Sequence, residues 1–252
     1  MKRLIAALIG LWVCAAQAAA PQQAYDSARD GIMARSGSES FRVAATYSLT
    51  KQGQQIATVT ETFKHGNGRY QLESVTAATG VYALFMKGKR RFVSSGEVIE
   101  NGLRPQHFED RRDADPSKTI QADFDWEKMR LSSSFDGKTE TTPLEPDTQD
   151  RLSLLYQFMF APPGQEDIRL FMTSGKKLNL YLYKLAGEEK ITTPAGQFQA
   201  LHLVKQRTPD EDGTEIWLAK KRHYFPVRIV VEDHNGGKLE QNLTSLTFEG
   251  EL

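Results

Sequence analysis

The sequence predicts a mainly β fold: a single curved antiparallel sheet, a half-barrel or barrel, wrapped around one apolar helix. Three observations carry this. Phe41, Val43, Ala45, Tyr47 and Leu49 alternate with Arg42, Ala44, Thr46, Ser48 and Thr50, the period-2 pattern of a half-buried strand. Turn chemistry recurs along the chain at Gly66-Asn67-Gly68, Asp136-Gly137, Asp212-Gly213 and Asn235-Gly236-Gly237, as an antiparallel meander requires. Between the two strand-rich halves, Leu152, Leu155, Tyr156 and Met159 fall on one helical face, and Leu154, Phe158 and Phe160 cover most of the rest. A helix apolar nearly all round must be covered on several sides.

The elements follow in order. Residues 1–18 read as a signal helix that is cleaved. Lys2 and Arg3 supply the basic start, residues 4–13 the apolar run, and Ala16-Gln17-Ala18 the cleavage site. That apolar run is too short to span a bilayer, so the reading is an exported, periplasmic protein. Cys14, the only cysteine, lies inside this leader. The mature chain therefore has no thiol for a disulfide, a metal or nucleophilic attack. Residues 19–39, rich in Ala, Ser, Gly and Gln, form a flexible lead-in, and residues 40–252 a single antiparallel β domain. Strands are expected at 56–64, 69–77, 90–95, 98–100, 106–112, 119–126 and 129–135 after the first. The helix is expected at about 148–161, with Asp147 as its N-cap and Pro162-Pro163-Gly164 as its stop. Strands resume at 168–172, 177–185, 188–192, 197–206, 214–219, 225–233 and 238–248.

Charge narrows the function. The chain carries 32 basic and 32 acidic side chains, and loss of Lys2 and Arg3 with the leader tips the balance slightly acidic. This argues against a nucleic-acid partner, which calls for a strongly basic face. No segment after the leader is apolar for long enough to be a transmembrane helix. The five histidines, His65, His107, His202, His223 and His234, show no metal-ligand spacing. His202, between Leu201 and Leu203, reads as a hydrogen-bonded histidine of the barrel wall. Ser153 has no histidine near it in sequence and reads as a packing residue that bonds its own helix backbone. The run Glu109, Asp110, Asp113 and Asp115 is interleaved with Arg111 and Arg112, as a solvated face would be, rather than forming a catalytic carboxylate pair. The sequence thus names no catalytic residue, no metal ligand and no cofactor. Lys87, Lys89, Arg90 and Arg91 follow the apolar run Val81–Met86. An apolar tip with a basic rim would suit anionic lipid. A core strand or short helix leaving the sheet through a charged turn accounts for the same residues and is preferred.

Several segments carry a family resemblance from about Tyr47 onward: Thr79-Gly80 with Leu84-Phe85, Gly102-Leu103-Arg104-Pro105 with Phe108, Phe124-Asp125-Trp126 and Gln149–Ser153, then Thr193–Phe198, Ile216–Ala219 and Phe225–Arg228. In this order the chain resembles the bacterial exported family called domain of unknown function 3108. The resemblance implies no catalytic residues, because the family has no agreed activity. More distantly the chain is similar to periplasmic lipoprotein-carrier folds, in which a curved sheet surrounds an apolar cavity; such an analogy of fold is a weak warrant for function.

The expected function is non-enzymatic binding of an apolar or amphiphilic, lipid-like molecule of the envelope. Its cavity would be lined by Leu152, Leu155, Tyr156, Phe158, Met159, Phe198 and Trp217. The alternative is a structural or protein-interaction component of the envelope whose barrel is filled by its own side chains, with an unrecognised hydrolase third.

Overall fold

Alternation of apolar and polar residues organises the chain into one sheet whose strands are all antiparallel neighbours but for a single short pair. The structure, a computed structural model, describes residues 40–164 and 166–250. The expected leader and lead-in lie outside the described residues. The first half contains β1 (Phe41–Lys51), β2 (Gln54–Gly66), β3 (Arg69–Ala78), β4 (Lys89–Ile99), β5 (Gly102–Arg112), β6 (Ile120–Asp125), β7 (Arg130–Phe135) and β8 (Lys138–Pro143). The second contains β9 (Gln149–Asp150), β10 (Ile168–Thr173), β11 (Leu178–Thr193), β12 (Gly196–Lys205), β13 (Gly213–Ala219), β14 (Phe225–Glu232) and β15 (Lys238–Glu249). The ladder runs from β8 back to β1, crosses to β15, and runs down to β9. Every step is a hairpin neighbour except the central β1–β15 pairing, which joins the two halves, and the parallel β9–β10 pair at the far edge.

The sheet is curved but not closed: no ladder joins β8 to β9. Side chains bridge the seam instead. Gln149 Nε2 donates to the Leu103 carbonyl of β5 at 2.8 Å, and Ser94 Oγ of β4 donates to Asp150 at 2.5 Å. At the β10–β11 turn, Gly175 has φ +87, and a Cβ there would meet Ile120 Cγ2 at 2.6 Å. Only glycine lets that turn approach so closely.

Several sequence expectations are corrected. The segments 90–95 and 98–100 form one strand, β4, and 177–185 and 188–192 form β11 with an irregularity between Leu185 and Gly187. β8 was not expected: its six residues, KTETTP, are all exposed and have no apolar phase to reveal a strand. The long apolar helix at about 148–161 is not continuous. Gln149–Asp150 pair with Met172–Thr173 as β9. Then α1 occupies only Ser153–Tyr156, and a 3₁₀ turn Gln157–Met159. Asp147 is left-handed at φ 55, so it cannot serve as an N-cap, which needs extended backbone. The capping oxygen belongs to Asp150, whose Oδ1 accepts the Leu152 and Ser153 amides at 2.8 Å each. The second short helix, α2, is Tyr82–Phe85 in the β3–β4 connection.

The core is aromatic. Tyr47, Phe63, Leu72, Phe108, Tyr156, Phe225 and Leu243 are fully buried. The Phe63 ring stacks on Tyr156 at 5.4 Å and on Tyr70 at 5.9 Å, and Tyr156 meets Phe225 edge-on at 5.5 Å. Each such buried ring contributes roughly 1.5–3 kcal/mol through area removed from water, and correctly placed ring pairs add about 0.5–1.5 kcal/mol more. A second cluster packs Leu154 and Phe158 against Leu201, Leu203, Ile216 and Leu218 of β12 and β13. The segment after β9 therefore wedges between the halves of the sheet, with Leu152, Tyr156 and Met159 in one cluster and Leu154 and Phe158 in the other.

Candidate functional site

The inward phase of β2 is Ala57, Val59, Glu61 and Phe63. One carboxylate thus sits among apolar neighbours. Glu61 accepts from Tyr156 Oη at 2.8 Å, Ser74 Oγ at 2.9 Å and Gln241 Nε2 at 3.5 Å. Burial pushes its carboxyl above the ordinary value, and these three donors partly offset the rise. Nearby, Tyr47 Oη donates to the Pro226 carbonyl at 2.8 Å. Asp150 is the second buried carboxylate. Its acceptors are used by the two α1 amides and by Ser94 Oγ, so Tyr70 Oη must be the donor in its 3.0 Å bond to Ser94. Burial raises this carboxyl too, and its hydrogen bonds work against the rise. Ser153 Oγ accepts the Asp150 amide at 3.0 Å and donates to its carbonyl at 3.3 Å; its backbone partner thus belongs to β9 and not to its own helix.

Beside this network, Arg90 grips the buried Asp110 with two bonds of 2.9 and 2.7 Å. Arg90 and Arg151 both lie over the Phe92 ring, at 4.7 and 4.9 Å. These groups tie β2, β4 and β5 to the segment around β9. They act as internal struts, since each carboxylate is enclosed by protein donors.

The seven residues expected to line a cavity divide. Leu152, Tyr156, Met159 and Trp217 are buried in the first core cluster, Phe158 is buried in the second, and Leu155 packs half-buried against both. Phe198 alone of the seven borders the largest open cleft described. Trp217 also stacks on His202 at 4.1 Å and donates from Nε1 to Glu189 at 2.6 Å. His202 itself lies 2.8 Å from Glu215 and 3.3 Å from Glu189, a satisfied wall histidine. Among the described residues no group of three or more His, Cys, Asp or Glu side chains is placed to hold a metal ion.

The cleft measures about 850 Å³ and opens to solvent. It forms because strand pairing stops early on both sides. β14 pairs with β15 only as far as Arg228–Asn242, and β12 with β13 only from Ala200–Ala219 onward. Residues 244–248 of β15 and 197–199 of β12 therefore line a slot without a ladder partner on that side. The slot is pinned where the Ala195 amide donates to the Leu243 carbonyl at 3.0 Å. Phe198, Leu246 and Phe248 supply apolar surface, and Lys221 and Arg222 supply charge at the rim. A second open cleft, about 770 Å³, lies between β11 and the β12–β13 connection and carries charges of both signs.

Residues 41–244 match the family described as "Protein of unknown function (DUF3108)". The chain belongs to this family. Its fold is β-barrel-like, similar to that of the beta-barrel-like protein of domain of unknown function DUF1849 from Brucella abortus. The two are 11% identical, the match covers 84% of this chain and 99% of that one, and the TM-score is 0.50. Weaker likenesses exist to a candidate lipoprotein from Parabacteroides distasonis, at 13% identity over 84% and 96% of the two chains with TM-score 0.33. A candidate exported protein with YmcC-like fold from Bacteroides fragilis is 10% identical over 84% and 97%, with TM-score 0.31. Both superpose too loosely to carry an argument. Comparison with curated proteins finds no match. No helix among the described residues is long and apolar enough to cross a membrane.

The sequence reading missed Glu61 and the rim cations, and it put Asp110 on a solvated face where the structure buries it. Glu61 and Asp110 had a readable signal: each is an acid on the apolar phase of its strand, in step with Phe63 and Phe108. Lys221 and Arg222 had none, because only the early ends of the β12–β13 and β14–β15 pairings bring the β13–β14 turn beside Phe198.

Proposed function

We propose that this protein is a non-enzymatic binding component of the bacterial periplasm. It takes an anionic amphiphile in its open cleft and not inside the barrel. The carrying observation is the slot itself: Phe198, Leu246 and Phe248 lie beside Lys221 and Arg222 in a volume of about 850 Å³, within the roughly 300–1,000 Å³ common for small-molecule sites. An acyl or other apolar tail would rest on the rings while its acidic head pairs with the cations. The aromatic packing around Tyr156 and Phe63 supports a surface site over an internal one. Native mass spectrometry of protein purified gently from periplasm tests the reading. The expected result is a co-purifying amphiphile in the parent, lost in Phe198→Asp and in the Lys221→Glu, Arg222→Glu pair. A bare polypeptide mass in the parent overturns it.

A second reading is a protein-interaction role with a filled barrel. One observation favours it: the backbone of 244–248, unpaired on the cleft side, can accept an added strand. A photo-crosslinker at the exposed Gln197 or Ser245 distinguishes the two, since a protein adduct in place of a lipid adduct would select this reading.

A further inference from the structure

We propose that the β3–β4 connection is a membrane-docking tip that seats its apolar side chains in an anionic lipid surface. Val81, Leu84, Phe85 and Met86 are 60%, 72%, 83% and 54% exposed. The other large exposed hydrophobics lie singly or in twos and are less exposed: Met129 at 39%, Leu180 and Leu182 on β11 at 40% and 42%, and the cross-strand partners Val231 and Leu239 at 36% and 37%. Single exposed apolar residues are ordinary, whereas a contiguous cluster marks a contact surface. This one projects from the end of the sheet that also carries the β1–β2 turn, away from Ser40 and Gly250.

The tip is held in place. The Thr79 amide donates to the Ile56 carbonyl at 3.0 Å, and the Met86 amide to the Tyr82 carbonyl at 2.9 Å. Tyr82 Oη donates to Gln54 at 3.1 Å. Gly88 lies so close to the β5–β6 connection that a Cβ there would meet the Ala114 amide nitrogen at 2.9 Å. The apolar side chains are therefore presented to solvent by backbone that is tied to two neighbouring turns.

Charge points to the partner. Lys87, Lys89 and Arg112 flank the tip and form no ion pair among the described residues, whereas Arg90 and Arg91 are engaged with Asp110 and Glu73. Of the nearby acids, Asp115 is paired with Lys118 at 3.3 Å, which leaves Asp113 against three cations. A stable protein interface buries about 800 Å² on each partner, more than four side chains on a convex turn present. The same four side chains need only dip into a headgroup layer to lose their contact with water. An anionic lipid surface satisfies both the apolar and the cationic part, and it does so weakly and reversibly, as a single short anchor should.

The proposal does not depend on the cleft ligand, because the tip and the cleft lie at opposite ends of the strands. Co-sedimentation with vesicles tests it, using phosphatidylcholine alone and phosphatidylcholine mixed with phosphatidylglycerol. The full chain should pellet with the mixed vesicles at low salt and be released as salt screens the cations. Leu84→Asp with Phe85→Asp should abolish binding. Lys87→Ala and Lys89→Ala should each weaken it about five-fold. All four positions are exposed, and an unchanged melting curve for each variant separates lost docking from lost fold. Failure of the parent to bind mixed vesicles, or equal binding by the Asp variant, overturns the proposal. A lipid adduct at the cleft that survives in the Asp variant would leave the cleft reading intact while the tip proposal fails.

Discussion

Two buried carboxylates take their side-chain and backbone hydrogen bonds from neutral donors. Glu61 receives Tyr156, Ser74 and Gln241, and Asp150 receives Ser94 and two amides. Each hydrogen bond contributes about 1 kcal/mol net, but leaving a buried partner unpaired costs about 1–3 kcal/mol. Burial raises both carboxyls in the folded state above their unfolded values. The folded protein therefore binds more protons than the unfolded chain between those values, and stability falls as pH rises through that window. The contribution is fully present below about pH 4, the unfolded range, and is lost as pH climbs through the raised folded values. Urea midpoints measured from pH 4 upward should decline in the parent and decline less in Glu61→Gln, which carries no charge to desolvate. A parallel decline in both would remove Glu61 as the cause.

The segment between β8 and β10 shows why a convincing apolar periodicity did not become one long helix. Leu152, Leu155, Tyr156 and Met159 do share a buried side, so the pattern was legible in residues. The helix nonetheless begins only at Ser153, because Gln149 and Asp150 bond more productively as a strand against β10 and as side chains across the seam. The cap moved with them, from Asp147 to Asp150. Asp150→Ala should destabilise the protein by about 2 kcal/mol, since it removes a cap and leaves buried amides unpaired. Asp147→Gly should be neutral or stabilising by up to about 1 kcal/mol, because glycine takes φ 55 without strain. Thermal melts of the two variants check the assignment, and the reverse ranking would restore Asp147 as the cap. The β3–β4 connection makes the opposite point. Its apolar run suggested a core strand or short helix; the structure has the short helix, but with its apolar side chains exposed.

The described residues from 40 to 250 form a curved sheet whose ends meet through side chains. Its centre is the β1–β15 pairing, which is long, and its edges are β8, wholly exposed, and β9, two residues long. Backbone protection should follow this order, because local opening is cheapest where few buried contacts resist it. Hydrogen exchange followed by mass spectrometry should show β8 exchanging first and the amides of β1 and β15 last. Uniform exchange across the sheet would contradict the seam as the weak boundary. The early end of the β14–β15 pairing leaves 244–248 without a ladder partner on the cleft side, so the same measurement with an added amphiphile would report cleft occupancy as slowed exchange there.

Strand alternation and turn residues were enough to determine a mainly β antiparallel meander and most of its strands, because both signals are local and repeat along the chain. The buried faces of the central segment were legible for the same reason. Three features were decided only by tertiary structure: whether the interior is filled, where strand pairing stops, and which apolar run stays outside. Each depends on residues far apart in sequence. Tyr156 meets Phe63 and Glu61 across the sheet, Phe198 meets Lys221 where two ladders end, and Val81–Met86 is left uncovered because no other described element folds over it. Packing between distant segments, not the pattern within any one of them, sets where this protein has empty space and where it has exposed grease.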